Sequence, residues 1–554
     1  MHSTREDQAS AELGTTEITP GVARTLVVTI AATLLAVPLL QWGDQLYSFS
    51  TGQRDSPWPD AADILTAPGV ALHGWSQSQG NLGHKTLAAN AELLAEIRRF
   101  ETSLEDNSNI TTTLLGPTRT WLARWAGWGT EEAWIGRDGW VFYRPDLQYS
   151  TGPGFLDPDV LARRRRGGLE FSRERHPDPR PAILDFARQL SSRNIQLVLV
   201  PTPHKAMIHP EKFGRHNNSR TPLHNRSWPR FLETLQAPNL TIFDALPVLV
   251  ARQQRDHSDQ YLATDTHWQP AAMEAVAEAL AARIVKLDCL GGSPQPATWI
   301  RESQKVSQQG ELVTMMRMSP GAAEFTSETV TLQAVLQSDR SPWQPDTTAE
   351  VILLGDSYTN IYSYEAMGWG QSAGFAEQLS WHLQRPVDRI ARNADGAHAT
   401  RRQLSGDTDR LTNTRVLVWQ FAVRELSAGD WPLVRLRSPP HVADAAGPLS
   451  GMLYRGTVLA TSGVPAPGTV PYRDAVLSLH VKDNNSGAQR IVFCMGMKNN
   501  KLTSASRLKP GDTLTARLIP WTTVQETRGR LNRIELDDPD FRLLELPTYW
   551  GDLE

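Results

Sequence analysis

Between residues 181 and 421 the chain repeats one arrangement: short, mostly apolar runs, separated by stretches with helical spacing. The runs fall at 195–200, 240–243, 351–354 and 416–421. A strand with one wet face alternates polar and apolar residues, so runs without alternation predict strands covered on both sides. The intervening segments agree. Residues 183–193 have helical spacing, and the helix opening at Pro270 sets Met273, Val276, Ala277, Leu280 and Ile284 on one face. Strand and helix in alternation predict an α/β domain built on a parallel sheet with flanking helices.

The rest of the chain is read around that domain. Residues 135–143 predict two short strands joined through the Asp138-Gly139 turn. After the Pro-rich stretch 438–440, the segments 456–459, 475–481 and 513–518 predict strands divided by Gly, Pro and Asn turns, which suits a small all-β domain of the OB-like or sandwich kind. Nineteen residues without formal charge separate Arg24 from Asp44, long enough to cross about 30 Å of hydrocarbon as a helix. With Arg24 at one edge, this predicts an N-terminal membrane anchor helix, a single pass through the inner membrane with the body in the periplasm. The expected division is a cytoplasmic tail at 1–24, a transmembrane signal anchor at 25–42, a tether and helical region at 43–129, the α/β domain at 130–435 and the all-β domain at 445–554. A net charge of −4 excludes a general basic field for nucleic acid. Two cysteines, Cys289 and Cys494, cannot build a disulfide framework or a four-cysteine zinc site.

One strand end carries chemistry. Gly355-Asp356-Ser357-Tyr358 follows the run 351–354 directly, so Ser357 falls at the carboxyl end of a strand, where open α/β sheets bind ligands. A serine hydroxyl needs a base for its proton, and the base needs a carboxylate to hold its tautomer. Thr264-Asp265-Thr266-His267-Trp268 supplies both, two residues apart, ahead of the Pro270 helix. No further acid or histidine stands at a persuasive metal-ligand spacing, so neither a metal nor a cofactor is expected. Trp268, Tyr358 and Tyr362 are candidates for packing on sugar faces. Asn393 is a candidate oxyanion donor, with a turn role as the alternative. Arg424 either meets an acidic polymer or pairs with a neighbouring acid.

The Asp-x-His segment followed about ninety residues later by Gly-Asp-Ser-Tyr resembles the alginate O-acetyltransferases of the AlgJ/AlgX type, within the SGNH-hydrolase superfamily. Flanking runs at 134–143, 201–211 and 419–426 resemble the family too, and Asp and His precede the serine as in that branch. The resemblance implies an SGNH-like fold, Ser357 as nucleophile, His267 as general base and Asp265 as its partner. It implies ping-pong transfer of an acetyl group to hydroxyls of an exported, alginate-like polysaccharide. The implied partners are the polysaccharide acceptor, a membrane-bound O-acyltransferase that donates the acetyl group, and a polysaccharide export complex. An acetyl esterase with the same triad and a non-catalytic polysaccharide-binding scaffold remain alternatives.

Overall fold

The computed structural model describes residues 19–553 apart from 53–56, 78–81, 107–108, 168–175, 214–221, 293–298, 319–324, 394–395, 437–452, 466, 468–469, 471, 485, 529–530, 535, 537–542 and 544–545. Most of the expected tail and the Pro-rich stretch 438–440 lie outside the described residues. The chain divides into two compact units, 1–118 and 119–554.

In the first unit a helix runs over Pro20–Ser50, with the Thr19 hydroxyl accepting from Val22 N and Pro20 in its first turn. The apolar run expected to cross a membrane is only part of it. The helix continues through Asp44 and Gln45, and Gln45 is buried, donating to Asp60 Oδ2 at 2.9 Å and accepting from Asp60 N at 3.1 Å. Among the described residues no helix is long and apolar enough to cross a membrane. This overturns the anchor at 25–42 and the single-pass inner-membrane placement that rested on it. The segment read as a tether also holds regular structure, a 3-10 turn at Asp60–Thr66 and a helix at Ala67–Gln77 that packs on the helix Leu82–Asp106.

The second unit begins with a hairpin of β1 (Ala133–Ile135) and β2 (Val141–Tyr143). Asp138 and Gly139 both take positive φ (55° and 78°), the mirror-image turn that suits the twist of a hairpin. Five strands follow in the main sheet or beside it: β3 (Gln196–Thr202), β4 (Leu240–Ile242), β5 (Ile300–Gln308), β6 (Glu328–Leu336) and β7 (Val351–Gly355). With β8 (Val387–Ala391) and β9 (Val416–Ala422), the main sheet reads β4-β3-β9-β7-β8, parallel throughout. Every residue of β7 and β9 is buried, as runs without alternation require. Val351, Ile352, Leu353 and Leu354 belong to the main core, each worth about 1.5–3 kcal/mol relative to exposure. Strands β5 and β6 form a separate antiparallel hairpin of nine residue pairs.

After residue 452 the regular structure is mainly strand: β10 (Leu453–Thr461), β11 (Ala475–Asp483), β12 (Gln489–Lys498), β13 (Lys501–Leu502), β14 (Thr513–Pro520), β15 (Asn532–Ile534) and β16 (Thr548–Leu553), with a 3-10 turn at Ser504–Arg507 and a helix at Trp521–Arg528. β10 pairs with β11, β11 with β12, β12 with β16, β16 with β14, and β14 returns to β10. The five form a closed barrel, so its main strands leave no open edge. Val458, Leu477, Leu479, Val481, Val492, Leu514, Ala516 and Leu518 fill it. Cys494 is in the same core and is a free thiol, as is Cys289.

Candidate active site

Two loops meet at the carboxyl end of the main sheet. The first follows β7. Asp356 caps a four-residue helical turn, Ser357–Asn360: its Oδ1 accepts from Tyr358 N at 2.9 Å and its Oδ2 from Ala422 N, at the end of β9, at 2.8 Å. Gln420 of β9 adds a second tie. Its Oε1 accepts from Asp356 N at 3.0 Å and from Thr359 Oγ1 at 2.8 Å, while its Nε2 donates to Thr202 Oγ1 of β3 at 2.9 Å. The aspartate beside the serine is therefore a strap between strand ends. Gly355 is required for packing, since a Cβ there would lie 2.2 Å from Thr359 Oγ1 and 2.7 Å from Thr359 Cβ.

The second loop carries Asp265 and His267, both 1% exposed. Asp265 Oδ1 accepts from His267 Nδ1 at 2.6 Å and from His267 N at 3.1 Å; Oδ2 accepts from Trp369 Nε1 at 2.9 Å and Glu311 N at 3.2 Å. Four donors on one carboxylate strongly favour its charged form. Burial works against ionisation, but the His267 charge and these hydrogen bonds outweigh it and bring Asp265 down to about 2. Burial likewise opposes the charged form of His267, yet the carboxylates of Glu311 and Asp265 raise it above the usual histidine value. With Nδ1 committed to Asp265, His267 Nε2 is buried and has no hydrogen-bond partner.

The loops are clasped by aromatic residues. Tyr358 donates its hydroxyl to Thr266 O at 3.0 Å, Trp268 Nε1 donates to Tyr358 O at 3.2 Å, and Tyr362 donates to Trp268 O at 2.5 Å. The His267 and Tyr358 ring centres are 4.9 Å apart. Trp268, Tyr358 and Tyr362 are all 0% exposed, so none presents an open ring face; each is a brace joining the histidine loop to the serine loop. Asn393 is buried, accepts from Asn360 Nδ2 at 2.9 Å and offers its own Nδ2 to Met367 Sδ at 3.2 Å. Arg424 donates to Asp146 Oδ1 at 3.1 Å and lies over the Tyr143 ring at 5.3 Å.

Two acids escaped the sequence reading. Glu328 of β6 holds the histidine loop by its backbone, accepting from Ala263 N at 2.8 Å and, on its other oxygen, from Thr264 N and Thr264 Oγ1 at 3.0 Å. Glu311 opens the helix Glu311–Met315, and its Oε1 accepts from Thr266 Oγ1 and lies 3.6 Å from His267 Nδ1. Each stands far along the chain from its target, and no local pattern marked it. Asp265, His267 and Glu311 each offer one atom within 4.8 Å of the others, which is also a geometry open to a cation. A cation, however, would have to displace N–H donors from Asp265, whose two oxygens receive four of them.

Comparison with known proteins adds the lineage. The Pseudomonas aeruginosa protein called "Probable alginate O-acetylase AlgJ" is 26% identical over 298 residues, spanning 53% of this chain and 70% of its own. The Pseudomonas putida protein of the same name is 24% identical over 301 residues, spanning 53% and 69%. Among solved structures, the O-acetyltransferase domain of P. putida AlgJ aligns at a TM-score of 0.41 and 21% identity, over 54% of this chain and 93% of that one. P. aeruginosa AlgX aligns at 0.32 and 13%, over 76% and 90%. Residues 133–423, more than half of the chain, match the model of the SGNH hydrolase-like domain of the acetyltransferase AlgX, and the chain belongs to that acetyltransferase family.

Proposed function

We propose that the chain is a polysaccharide O-acetyltransferase in which Ser357 takes the acetyl group, His267 is the general base and Asp265 orients it. The observation that carries this reading is the state of His267: Nδ1 is held by an ionised carboxylate, while Nε2 is buried, free of partners and on a loop clasped to the residue after Ser357. An imidazole held in that way has one open proton-accepting position.

In the first half-reaction Ser357 Oγ attacks the acetyl carbonyl of an ester donor while His267 Nε2 takes the hydroxyl proton and then gives it to the departing alkoxide. In the second, a sugar hydroxyl attacks the acetyl carbonyl while the same nitrogen takes its proton, and the acetyl–Oγ bond breaks as that proton returns to Ser357 Oγ. Asn393 Nδ2, whose partner is a weak thioether acceptor, is the side-chain donor proposed for the oxyanion. The two relatives named as alginate O-acetylases support an alginate-like acceptor. The donor protein and export complex expected from the resemblance are part of this proposal.

The full chain is incubated with an activated acetyl ester, with and without alginate oligosaccharides, and protein and sugar are weighed by mass spectrometry. An acetyl adduct on Ser357 that moves to the sugar is expected, with none in Ser357→Ala and a sharply reduced yield in His267→Ala. Release of acetate without acetylated sugar would make the protein an esterase, and absence of any adduct at Ser357 would end the reading.

A further inference from the structure

The carboxyl group of Glu311 has no evident structural task that would justify its position. Its backbone already does that work: Glu311 N donates to Asp265 Oδ2, Leu312 N to Thr264 O at 3.2 Å and Gly310 N to Thr264 Oγ1 at 3.0 Å. The two segments touch backbone to backbone, since a Cβ on Gly310 would lie 2.2 Å from Thr264 O and 2.6 Å from Asp265 N. The side-chain carboxyl is 9% exposed, accepts one hydrogen bond, from Thr266 Oγ1, and stands beside a second acid. Burying an acid next to an acid is unfavourable, and a glutamine would satisfy the same hydroxyl. What a glutamine would not supply is a negative charge 3.6 Å from the imidazole nitrogen of His267.

We infer that Glu311 is a positioning residue for the base, a second carboxylate that works with Asp265 to raise the basicity of His267 and to stabilise its cationic form. The inference rests on the reading of Ser357 as the nucleophile and His267 as its base. When the Oγ–H bond of Ser357 breaks and Nε2–H forms, the imidazolium lies between Asp265 at 2.6 Å and Glu311 at 3.6 Å. Burial, and then the charge of Asp265, push Glu311 up to about 7, against the pull of His267, the Thr266 hydroxyl and Arg424. Tyr143 and Lys205 complete the set of titratable groups that feel it. Its charge therefore appears in the neutral range, where the base must work.

Ser357 labelling by a sulfonyl fluoride, followed by intact-protein mass, measures the nucleophile without donor or sugar. Rates are taken across pH for the wild type, Glu311→Gln and Glu311→Asp, with Ser357→Ala as the blank. The expected result is a plateau about tenfold lower in Glu311→Gln, with its acid limb displaced about one pH unit downward, and partial recovery in Glu311→Asp. A Glu311→Gln curve that overlays the wild type overturns the inference, and so does one that is lower with an unmoved acid limb, since loose packing slows labelling without changing the base. Titration of His267 by NMR in histidine-labelled protein, in the Ser357→Ala background, reads the same charge without turnover. If Ser357 takes no label at all, the nucleophile reading fails, and the NMR midpoint alone decides: lowered in Glu311→Gln it supports a second carboxylate at the imidazole, unmoved it refutes one.

Discussion

Replacing Asp265 by Asn should damage folding as well as the base, because this carboxylate is an acceptor with no spare capacity. Its two oxygens receive His267 Nδ1–H, His267 N–H, Trp369 Nε1–H and Glu311 N–H. An asparagine has one oxygen. If its oxygen stays at the Oδ1 position, the amide NH2 faces the Trp369 and Glu311 donors; if it flips, the NH2 faces the His267 backbone N–H and forces the imidazole into the opposite tautomer. In the first case two N–H groups lose their acceptor and in the second the His267 backbone N–H does, at about 1–3 kcal/mol each, so a loss of about 1–6 kcal/mol is expected. That is a large part of the ~5–15 kcal/mol by which a domain is usually stable. Urea unfolding followed by tryptophan fluorescence measures the first effect, and Ser357 acetylation the second, for which a fall on the order of a thousandfold or more is expected. An Asn variant within about 0.5 kcal/mol of wild type, still acetylated at a comparable rate, would refute the account of this carboxylate.

Other outcomes follow from single contacts. Trp369→Phe removes one charge-assisted donor from Asp265 and should cost about 1.5–3 kcal/mol, with the Asp265 carboxyl rising from about 2; unchanged unfolding would show the bond to be idle. Gly310→Ala drives a Cβ into the Thr264–Asp265 backbone, which no rotamer change relieves, and acetylation of Ser357 should fall at least about tenfold while the fold survives by circular dichroism. Arg410→Met strands Asp388, which is 0% exposed and takes Arg410 Nη1 on both oxygens at 2.9 Å; a loss of about 3–5 kcal/mol is expected, and the double change with Asp388→Leu should recover most of it in thermal melts. Glu311 is raised in the folded protein from 4.5 to about 7. The stability it contributes is therefore fully present below its unfolded value and is lost as pH rises through about 7, so Glu311→Gln should flatten the stability profile across that window.

How much was legible depended on whether the signal was local. Strands β3, β7 and β9 stood out because both their faces are covered and no residue alternates. The Asp265–His267 pair was visible because both partners lie in one short loop. The hairpin of β5 and β6 was missed: Arg301, Glu302, Ser303, Gln304 and Lys305 give it a polar, half-exposed surface that no apolar run announces. Glu311 was missed with it, since only that hairpin and its connecting segment carry the residue back to Asp265. Trp268, Tyr358 and Tyr362, expected to face sugars, are buried and bonded across the two loops. Their polar tips find backbone carbonyls of the facing loop, so the rings close the site from within. The apolar run after Arg24 misled because a run shows only its own composition, and the polar continuation of the helix through Gln45, buttoned to Asp60, became visible only in three dimensions.

The central strand of the main sheet is the last one to be made. β9 lies between β3 and β7, yet some 60 residues and the whole of β8 separate β7 from it in the chain. Until it is inserted, β3–β4 and β7–β8 are two half-sheets, each with an open edge of unpaired backbone groups. The cap on the Ser357 turn and the Gln420 ties are also missing, because Ala422 and Gln420 belong to that strand. A nascent chain halted before Val416 therefore carries every residue of the proposed triad and no site, along with two sticky edges that invite aggregation. The ties of the proposed site and the protection of the sheet arrive together, in the ~0.4–1.4 s it takes to add one seven-residue strand.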